Sequence, residues 1–492
     1  MNKFQQPGIF SLLNFMNWNQ KNISNASLKK LLHCVDEPHT SREDQELLEE
    51  QRDSNIKLST EQEAVKNSIT TKRKNVFYTG AAGTGKSVLL RSIIKTLKEN
   101  YGRSNVGITA TTGIAAINIG GQTLHSFAGL TPQTQYYEIE DIIENLSKGA
   151  KARWKKTEAL VIDEVSMLNG NLFDKLNRIA QHFRCNEKPF GGLQLVLTGD
   201  FFQLPPIKND IEKVKYCFEV DSWSESLDHT FQLTKVHRQR EEEFVKMLNE
   251  FRYGHVSEKS SQIMSNLEKA PIYNNDGILV TELYAINKYV NNVNTAKLAE
   301  LPYKEMVYEA EDWEPKFGGR LEALIRNCLA PKNLRLKRDA QVMLLKNTTS
   351  ELVNGSKGVV VGWFSKITSK FYEDVPTEDS VSLLPVVKFI NGQTKVIPPF
   401  EWSLENKYKK KVASRRQIPL ILCWAVSIHK SQGHTLERVK INLDRVFETG
   451  QAYVALSRAT SLNSLQVLNF SADKVFAEEK VINFYKSLTE LA

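Results

Sequence analysis

Residues 80–87 read GAAGTGKS, and the sequence on either side leaves this stretch little choice of local fold. Before it, Asn75 to Tyr78 (NVFY) forms a short apolar run of the kind buried in a parallel sheet. After it, VLLRSIIKTLK spaces Leu89, Leu90, Ile93, Ile94 and Leu97 along one helical face. A strand, a glycine-rich loop and a helix in that order bring backbone N–H groups to a helix N-terminus, where the aligned peptide dipoles favour an anion. Gly80, Gly83 and Gly85 allow the backbone to come close to phosphates, with Ala81, Ala82 and Thr84 completing the cradle. Lys86 adds a point charge at the terminal phosphates, and Ser87 offers a hydroxyl to Mg²⁺.

Two further strands supply the chemistry that a phosphate grip alone lacks. In ALVIDEVSML the buried run Ala159 to Ile162 ends at Asp163 and Glu164, so both carboxylates emerge at a strand's C-terminal end. Asp163 is expected to hold Mg²⁺, and Glu164 is the natural general base for an attacking water. A third strand, LQLVLTG, leads into GDFFQLPP (Gly199 to Pro206), where Gln203 can reach a γ-phosphate and report its presence. Hydrolysis is therefore expected, beyond binding.

At 492 residues the chain is too long for one hydrophobic core, and two or more domains are expected. No apolar run approaches the roughly 18 residues that span a bilayer, which predicts a soluble protein. The five cysteines (Cys34, Cys185, Cys217, Cys328, Cys423) include no CxxC pair, so neither a disulfide framework nor a zinc site is indicated, and a reducing compartment fits. A net charge of +8 suits a polyanionic partner. The first 35 residues hold no acid and only four lysines, as in a mitochondrial presequence or a disordered tail; Asp36 to Asp53 then turns acidic and helix-prone, as a linker or short helix would.

The second half of the chain decides which kind of phosphate machine this is. A GTPase would carry N-K-x-D, and NKYV at Asn287 to Val290 lacks the aspartate. Two arginines, Arg238 in LTKVHRQ and Arg458 on the helix-spaced run AYVALSRAT, are expected to reach across an interdomain cleft and stabilise transition-state charge. TATTGIAAINIGGQTLHSFAG (Thr109 to Gly129) and AVSIHKSQGHTL (Ala425 to Leu436) put hydroxyls, amides and histidines in loops that suit backbone contact with a nucleic acid. Thr112 and Gln432 are candidates for such contacts, and His125, Phe127, His429 and Tyr453 for stacking on bases, although Phe127 and Tyr453 suit a core equally well.

Taken together, LSTEQ, GAAGTGKS, TATTGIAA, VIDEVSML, GDFFQLPP, AVSIHKSQGHTL and GQAYVALSRAT resemble the superfamily-one B DNA helicases in order and spacing. FQLTKVHRQREEEFVKMLNEFRYG (Phe231 to Gly254) is similar to the signature of the petite integration frequency (Pif) helicases, eukaryotic type. The resemblance runs from about Leu58 to Phe470. It implies an ATP- and Mg²⁺-dependent helicase moving 5′ to 3′ on single-stranded DNA, with forked DNA, RNA–DNA hybrids and G-quadruplexes as substrates. It also implies service in genome maintenance in the nucleus, the mitochondrion or both, as a monomer or as a dimer on DNA, without a membrane.

By the same resemblance Gln62 would recognise adenine, Lys86 and Ser87 the phosphates and Mg²⁺, Asp163 and Glu164 the metal and water, and Gln203, Arg238 and Arg458 the γ-phosphate. Gln451 opens a stretch linked to DNA. His237 and the acidic Glu241 to Glu243 depart from the signature without touching the chemistry.

The implied fold is α/β: two RecA/RecD-like P-loop domains, with a small wedge insertion in the first and an SH3-like β-barrel insertion in the second. The expected limits are an N-terminal extension over 1–57, a first domain over 58–230 with the wedge near 131–156, and a second over 231–492 with the barrel near 355–419. In the insertion GVVVGWF, LLPVVKFI and TKVIPPF read as short strands, and the basic KYKKKVASRR as a solvated loop or a DNA-backbone contact. A single-strand-stimulated translocase of a mobile element and a nucleotide-gated DNA-binding protein with little turnover are the competing readings. Intact Glu164 and Arg458 count against the second.

Overall fold

The structure, a computed structural model, describes residues 57–488 except 132–136, 207–214, 270, 272–279, 316–319, 347, 350, 351, 353, 366, 369, 376–382, 406–410, 434 and 437. Residues 1–56 of the N-terminal extension, residues 132–136 of the expected wedge, and Lys407, Lys409 and Lys410 of the basic run lie outside the described residues.

The first domain is built on six parallel strands: β1 (Val76–Gly80), β2 (Val106–Ala110), β3 (Gln122–Thr123), β4 (Ala159–Asp163), β5 (Gln194–Thr198) and β6 (His229–Leu233). Their spatial order is β3-β2-β4-β5-β1-β6. Every residue of β1, β2, β4 and β5 is buried, as expected of strands covered on both faces, and this is why they read as apolar runs without alternation. One face packs under the helix Lys86–Tyr101 through Leu89, Leu90, Ile93, Ile94 and Leu97. The other packs under the helix Gly170–Arg184 and a cluster of aromatics around Phe77, Phe201 and Trp223. Because β4, β5 and β1 are neighbours and parallel, the segments that follow them open at one edge of the sheet.

The second domain has a four-stranded parallel sheet in the order Ala425–Ser427, Thr281–Tyr284, Val439–Asn442, Leu465–Leu468. The helix Glu242–Arg252 buries Phe244, Met247, Leu248 and Phe251 in its core, a spacing of three and four residues that marks one helical face. Between Tyr284 and Ala425 the chain leaves for an antiparallel insertion with its own core around Trp363, Phe364 and Val386.

Several limits differ from those read in the sequence. β6 reaches Leu233 and pairs with β1, so the first domain runs past residue 230. The antiparallel strands begin at Met306–Glu309 rather than near 355; of these early strands MVYE alternates half-buried and exposed positions and NLRL exposed and buried ones, and neither carries an apolar run to betray it. In the expected wedge, the helices Ile139–Asn145 and Lys148–Lys156 lie packed down, with Trp154 fully buried edge-on to Phe127. The C-terminal helix Glu479–Lys486 belongs to the first domain's core, not the second's: Val481 and Tyr485 are buried there, and Phe484 stacks on Phe218 at 4.3 Å. The described cations of the basic run are paired with acids of neighbouring strands: Arg415 with Asp312 in a largely buried pair, and Arg416 with Glu311 and Lys411 with Glu401 at the surface.

Candidate active site between the two parallel sheets

The loop after β1 is shaped by glycines that no other residue replaces cheaply. Gly83 and Gly85 have φ of +88° and +80°, and a Cβ on Gly83 would stand 2.8 Å from the Cβ of Arg238. Gly85 caps the helix Lys86–Tyr101, leaving the first-turn N–H groups without a side-chain acceptor, as an anion site requires. Ser87 is exposed in that first turn. Lys86 folds back onto the loop, donating to the carbonyls of Gly80 (2.6 Å) and Ala81 (3.2 Å). Burial pushes its ammonium down, and Asp200, Glu164 and Asp163 oppose that shift.

Gln62 is a strut for this loop. Its Oε1 accepts the Ser59 N–H in a reciprocal cap of the helix Thr60–Thr70, and its Nε2 donates to the Thr84 carbonyl at 3.2 Å. One bond at each end of the amide ties Gln62 to the helix start and to the phosphate loop.

Asp163 and Glu164 stand at the end of β4. Burial, and next the neighbouring Glu164, push the Asp163 carboxyl up to about 8, although its Oδ1 accepts the Glu164 N–H at 2.8 Å. Glu164 adopts φ 54° and ψ 45°, a left-handed conformation that costs a non-glycine residue on the order of 1 kcal/mol or more. The strain is held by the Thr111 hydroxyl, which donates to the Glu164 carbonyl at 2.8 Å, and it turns the side chain into the cleft. There Oε2 accepts from Gln432 Nε2 of the second domain at 3.1 Å. Gln432 also donates to Gln203 Oε1 at 3.4 Å.

The second domain brings two guanidinium groups. Arg238 donates to the Ser457 carbonyl at 2.9 Å, in a segment tied to the phosphate loop by the His237 N–H on the Gly83 carbonyl. Arg458 lies two residues past the end of the helix Gln451–Leu456, fully buried, with Nε on the Val454 carbonyl at 2.8 Å. Burial, then repulsion from Arg238, pushes Arg458 down to about 9, with Tyr453, Glu164 and Asp200 opposing. Guanidinium groups stay charged in proteins, so this burial beside Arg238 is a stress that a bound anion would relieve. The stresses on Asp163 and Arg458 have opposite sign, and a polyphosphate carrying a divalent cation answers both.

Several expected DNA contacts sit elsewhere. Phe127 belongs to the core, because Leu124, Phe127 and Ala128 form the inward face of one short helix. Tyr453 is buried between the second sheet and the phosphate loop, its hydroxyl accepting the Ala82 N–H at 2.7 Å. Gln451 is fully buried and accepts the Phe447 N–H through Oε1. Gln432 is buried, with its amide on Glu164 and Gln203. Thr112, His125 and His429 remain partly exposed; Thr112 caps the turn before Ala115, and His429 pairs with Glu448 at 3.2 Å.

Sequence reasoning missed Asp200, Arg252 and Tyr485, which meet beneath Gln203. Asp200 and Arg252 stood inside quoted motifs without an assigned task, and Tyr485 stood in no motif at all.

Comparison with known proteins agrees with this architecture. A family model described as PIF1-like helicase matches residues 57–262, and one described as DNA helicase Pif1, 2B domain, matches residues 320–363. The chain is 42% identical over 473 residues to the ATP-dependent DNA helicase PIF1 of Emericella nidulans, covering 87% of this chain and 62% of that protein. It is 40% identical over 501 residues to the ATP-dependent DNA helicase RRM3 of Saccharomyces cerevisiae, covering 89% and 68%. Against the crystal structure of Pif1 helicase from Candida albicans the TM-score is 0.74 at 42% identity, over 88% of this chain and 100% of that one. Against Bacteroides Pif1 in complex with ADP-AlF3 and single-stranded DNA it is 0.61 at 29% identity, over 88% and 97%. The chain thus spans a little under two thirds of the first of these curated relatives and about two thirds of the second. With both parallel sheets, the antiparallel insertion and the phosphate loop shared across such lengths, the chain belongs to the Pif1-like helicase family.

Proposed function

We propose that this protein is an ATP-dependent DNA helicase that moves 5′ to 3′ along single-stranded DNA and opens forked duplexes. The observation that carries the reading is the split site: Gln432 of the second domain is hydrogen-bonded to both Glu164 and Gln203 of the first. A site completed only when two domains meet makes turnover depend on their separation, which is how hydrolysis becomes movement. The relatives named as ATP-dependent DNA helicases, and the Bacteroides homologue bound to ADP-AlF3 and single-stranded DNA, support it.

In this reading the phosphate loop and Lys86 hold the triphosphate, Glu164 accepts the proton of the attacking water, and Gln203 senses the γ-phosphate. Arg238 and Arg458 stabilise the charge of the transition state, a contribution of about 4 to 7 kcal/mol. The buried carboxylate of Asp163 and the exposed hydroxyl of Ser87 are hard oxygen donors that suit Mg²⁺, which when bound neutralises phosphate charge. Thr112, His125 and His429 are the proposed DNA contacts, and the antiparallel insertion is proposed to be an SH3-like module beside the DNA path. RNA–DNA hybrids and G-quadruplexes are proposed as further substrates. We also propose service in genome maintenance in the nucleus or mitochondrion, as a monomer or as a pair of molecules on one fork.

Single-turnover unwinding of matched duplexes with a 5′ or a 3′ tail tests the core of this. Opening of the 5′-tailed duplex alone, with ATP, is expected. Opening of the 3′-tailed duplex instead would refute the direction, and stimulated hydrolysis with neither duplex opened would reduce the protein to a translocase.

A further inference from the structure

Beneath the Gln203 loop lies a buried polar chain that the nucleotide site as described does not require. Asp200 is fully buried, and both its oxygens are engaged. Oδ1 accepts from Arg252 Nη2 at 2.8 Å, the Tyr485 hydroxyl at 3.0 Å and the Phe202 N–H at 3.3 Å. Oδ2 accepts from Arg252 Nε at 3.2 Å and from Gln203 Nε2 at 3.4 Å. The contact to Gln203 is the informative one. With Nε2 turned toward Asp200, Gln203 presents Oε1 to Gln432, whose own amide is turned toward Glu164. A continuous line of hydrogen bonds therefore runs from Tyr485 through Asp200, Gln203 and Gln432 to Glu164.

Two of these donors, Arg252 and Tyr485, lie on segments that flank the second domain's sheet in the chain. Arg252 ends the helix Glu242–Arg252, which packs in that domain's core. Tyr485 sits on the C-terminal helix, which the chain reaches after leaving the strand Leu465–Leu468 of the second sheet. The Tyr485 hydroxyl also lies 2.6 Å from Thr79 Oγ1, on the strand that carries the phosphate loop, and accepts the Phe201 N–H at 3.1 Å. The Arg252 guanidinium is held 4.6 Å from the centre of the Phe202 ring and 4.8 Å from that of Tyr485. A buried ion pair contributes little net stability over an apolar packing of the same volume, whereas it does fix orientation. Orientation is what Gln203 needs, since its amide could otherwise turn either end to the γ-phosphate.

We propose that Tyr485 and Arg252 are positioning residues: through Asp200 they set the Gln203 amide toward Gln432 and Glu164, so that fast hydrolysis requires both attachments of the second domain to be seated on the first. The proposal rests on the ATPase reading above.

The test is Tyr485→Phe in the full chain, which keeps the ring over Arg252 and removes only the hydroxyl. Single-strand-stimulated hydrolysis is expected to lose about fivefold or more in kcat with the KM for ATP within about twofold. In a Gln203→Ala background the same change should add less than about 1.5-fold, because Tyr485 acts through Gln203. Arg252→Lys, which cannot make the two-pronged contact, should lower kcat in the same way and show the same dependence on Gln203. Phe484→Leu loosens the same helix through apolar contacts alone and should lower the melting temperature with kcat within about twofold. Unchanged kcat in Tyr485→Phe, or a full multiplicative loss on top of Gln203→Ala, would overturn the proposal while leaving the ATPase reading intact. A wild-type chain that does not turn over ATP would overturn both.

Discussion

Asp163 ends a buried strand, and Lys86, Glu164 and Gln203 each follow one by a few residues; it is that strand which carries each of them into one cleft. Lys86→Ala is expected to abolish turnover while single-strand binding persists, measured by hydrolysis and by equilibrium DNA titration; retained hydrolysis would remove the lysine from the phosphates. Arg458→Ala should cut the stimulated rate by about a hundredfold or more, the scale set by arginine fingers, with ATP affinity nearly unchanged. Both expectations could be framed from sequence, because the neighbours that define these residues are adjacent along the chain. Gln432, Tyr453, Phe127 and Gln451 could not be placed so. Each is polar or aromatic in a loop or a short helix, and whether it faces DNA, nucleotide or core depends on which distant segment covers it.

At the scale of elements, the phosphate loop shows how backbone geometry and crowding combine. Gly83→Ala places a Cβ at positive φ and 2.8 Å from the Cβ of Arg238, so it should displace the segment that carries Arg238 and weaken nucleotide binding by about tenfold or more. Gly102→Ala is the matched control: its φ is also positive, at +82°, but nothing lies within 4 Å of the added Cβ. It should cost only backbone strain, about 1 to 3 kcal/mol in thermal or denaturant unfolding, with nucleotide binding untouched. Elements announced by apolar runs, β1, β4 and β5 above all, were legible in the sequence to within two residues. The strands Met306–Glu309 and Asn333–Leu336 were not, because half of each faces solvent and a short alternating segment carries little signal.

At the scale of the molecule, the Asp200–Arg252 pair joins a loop of the first domain to a helix of the second. Burial works against ionising Asp200, but Arg252 and Lys86 outweigh it and hold the carboxyl below its ordinary 3.8. A carboxyl with a lowered folded pKa stabilises the fold fully above its unfolded value, and that contribution is lost as pH falls through the folded one. Wild type should therefore exceed Asp200→Asn by a steady margin of about 3 kcal/mol from about pH 5 to 8, shrinking below about pH 4, in denaturant titrations across pH. A margin that widened toward acid would contradict the pairing. Local order in the sequence was enough to mark a phosphate-binding loop, a candidate hydrolytic site and two parallel-sheet domains, because strand, loop and helix signals are written in contiguous residues. It was not enough to place Tyr485 beside Thr79, Arg252 on Asp200 or Gln432 on Glu164. Those partners are separated by 406, 52 and 268 residues, and only the packing of helices and sheets against one another brings them within hydrogen-bonding distance.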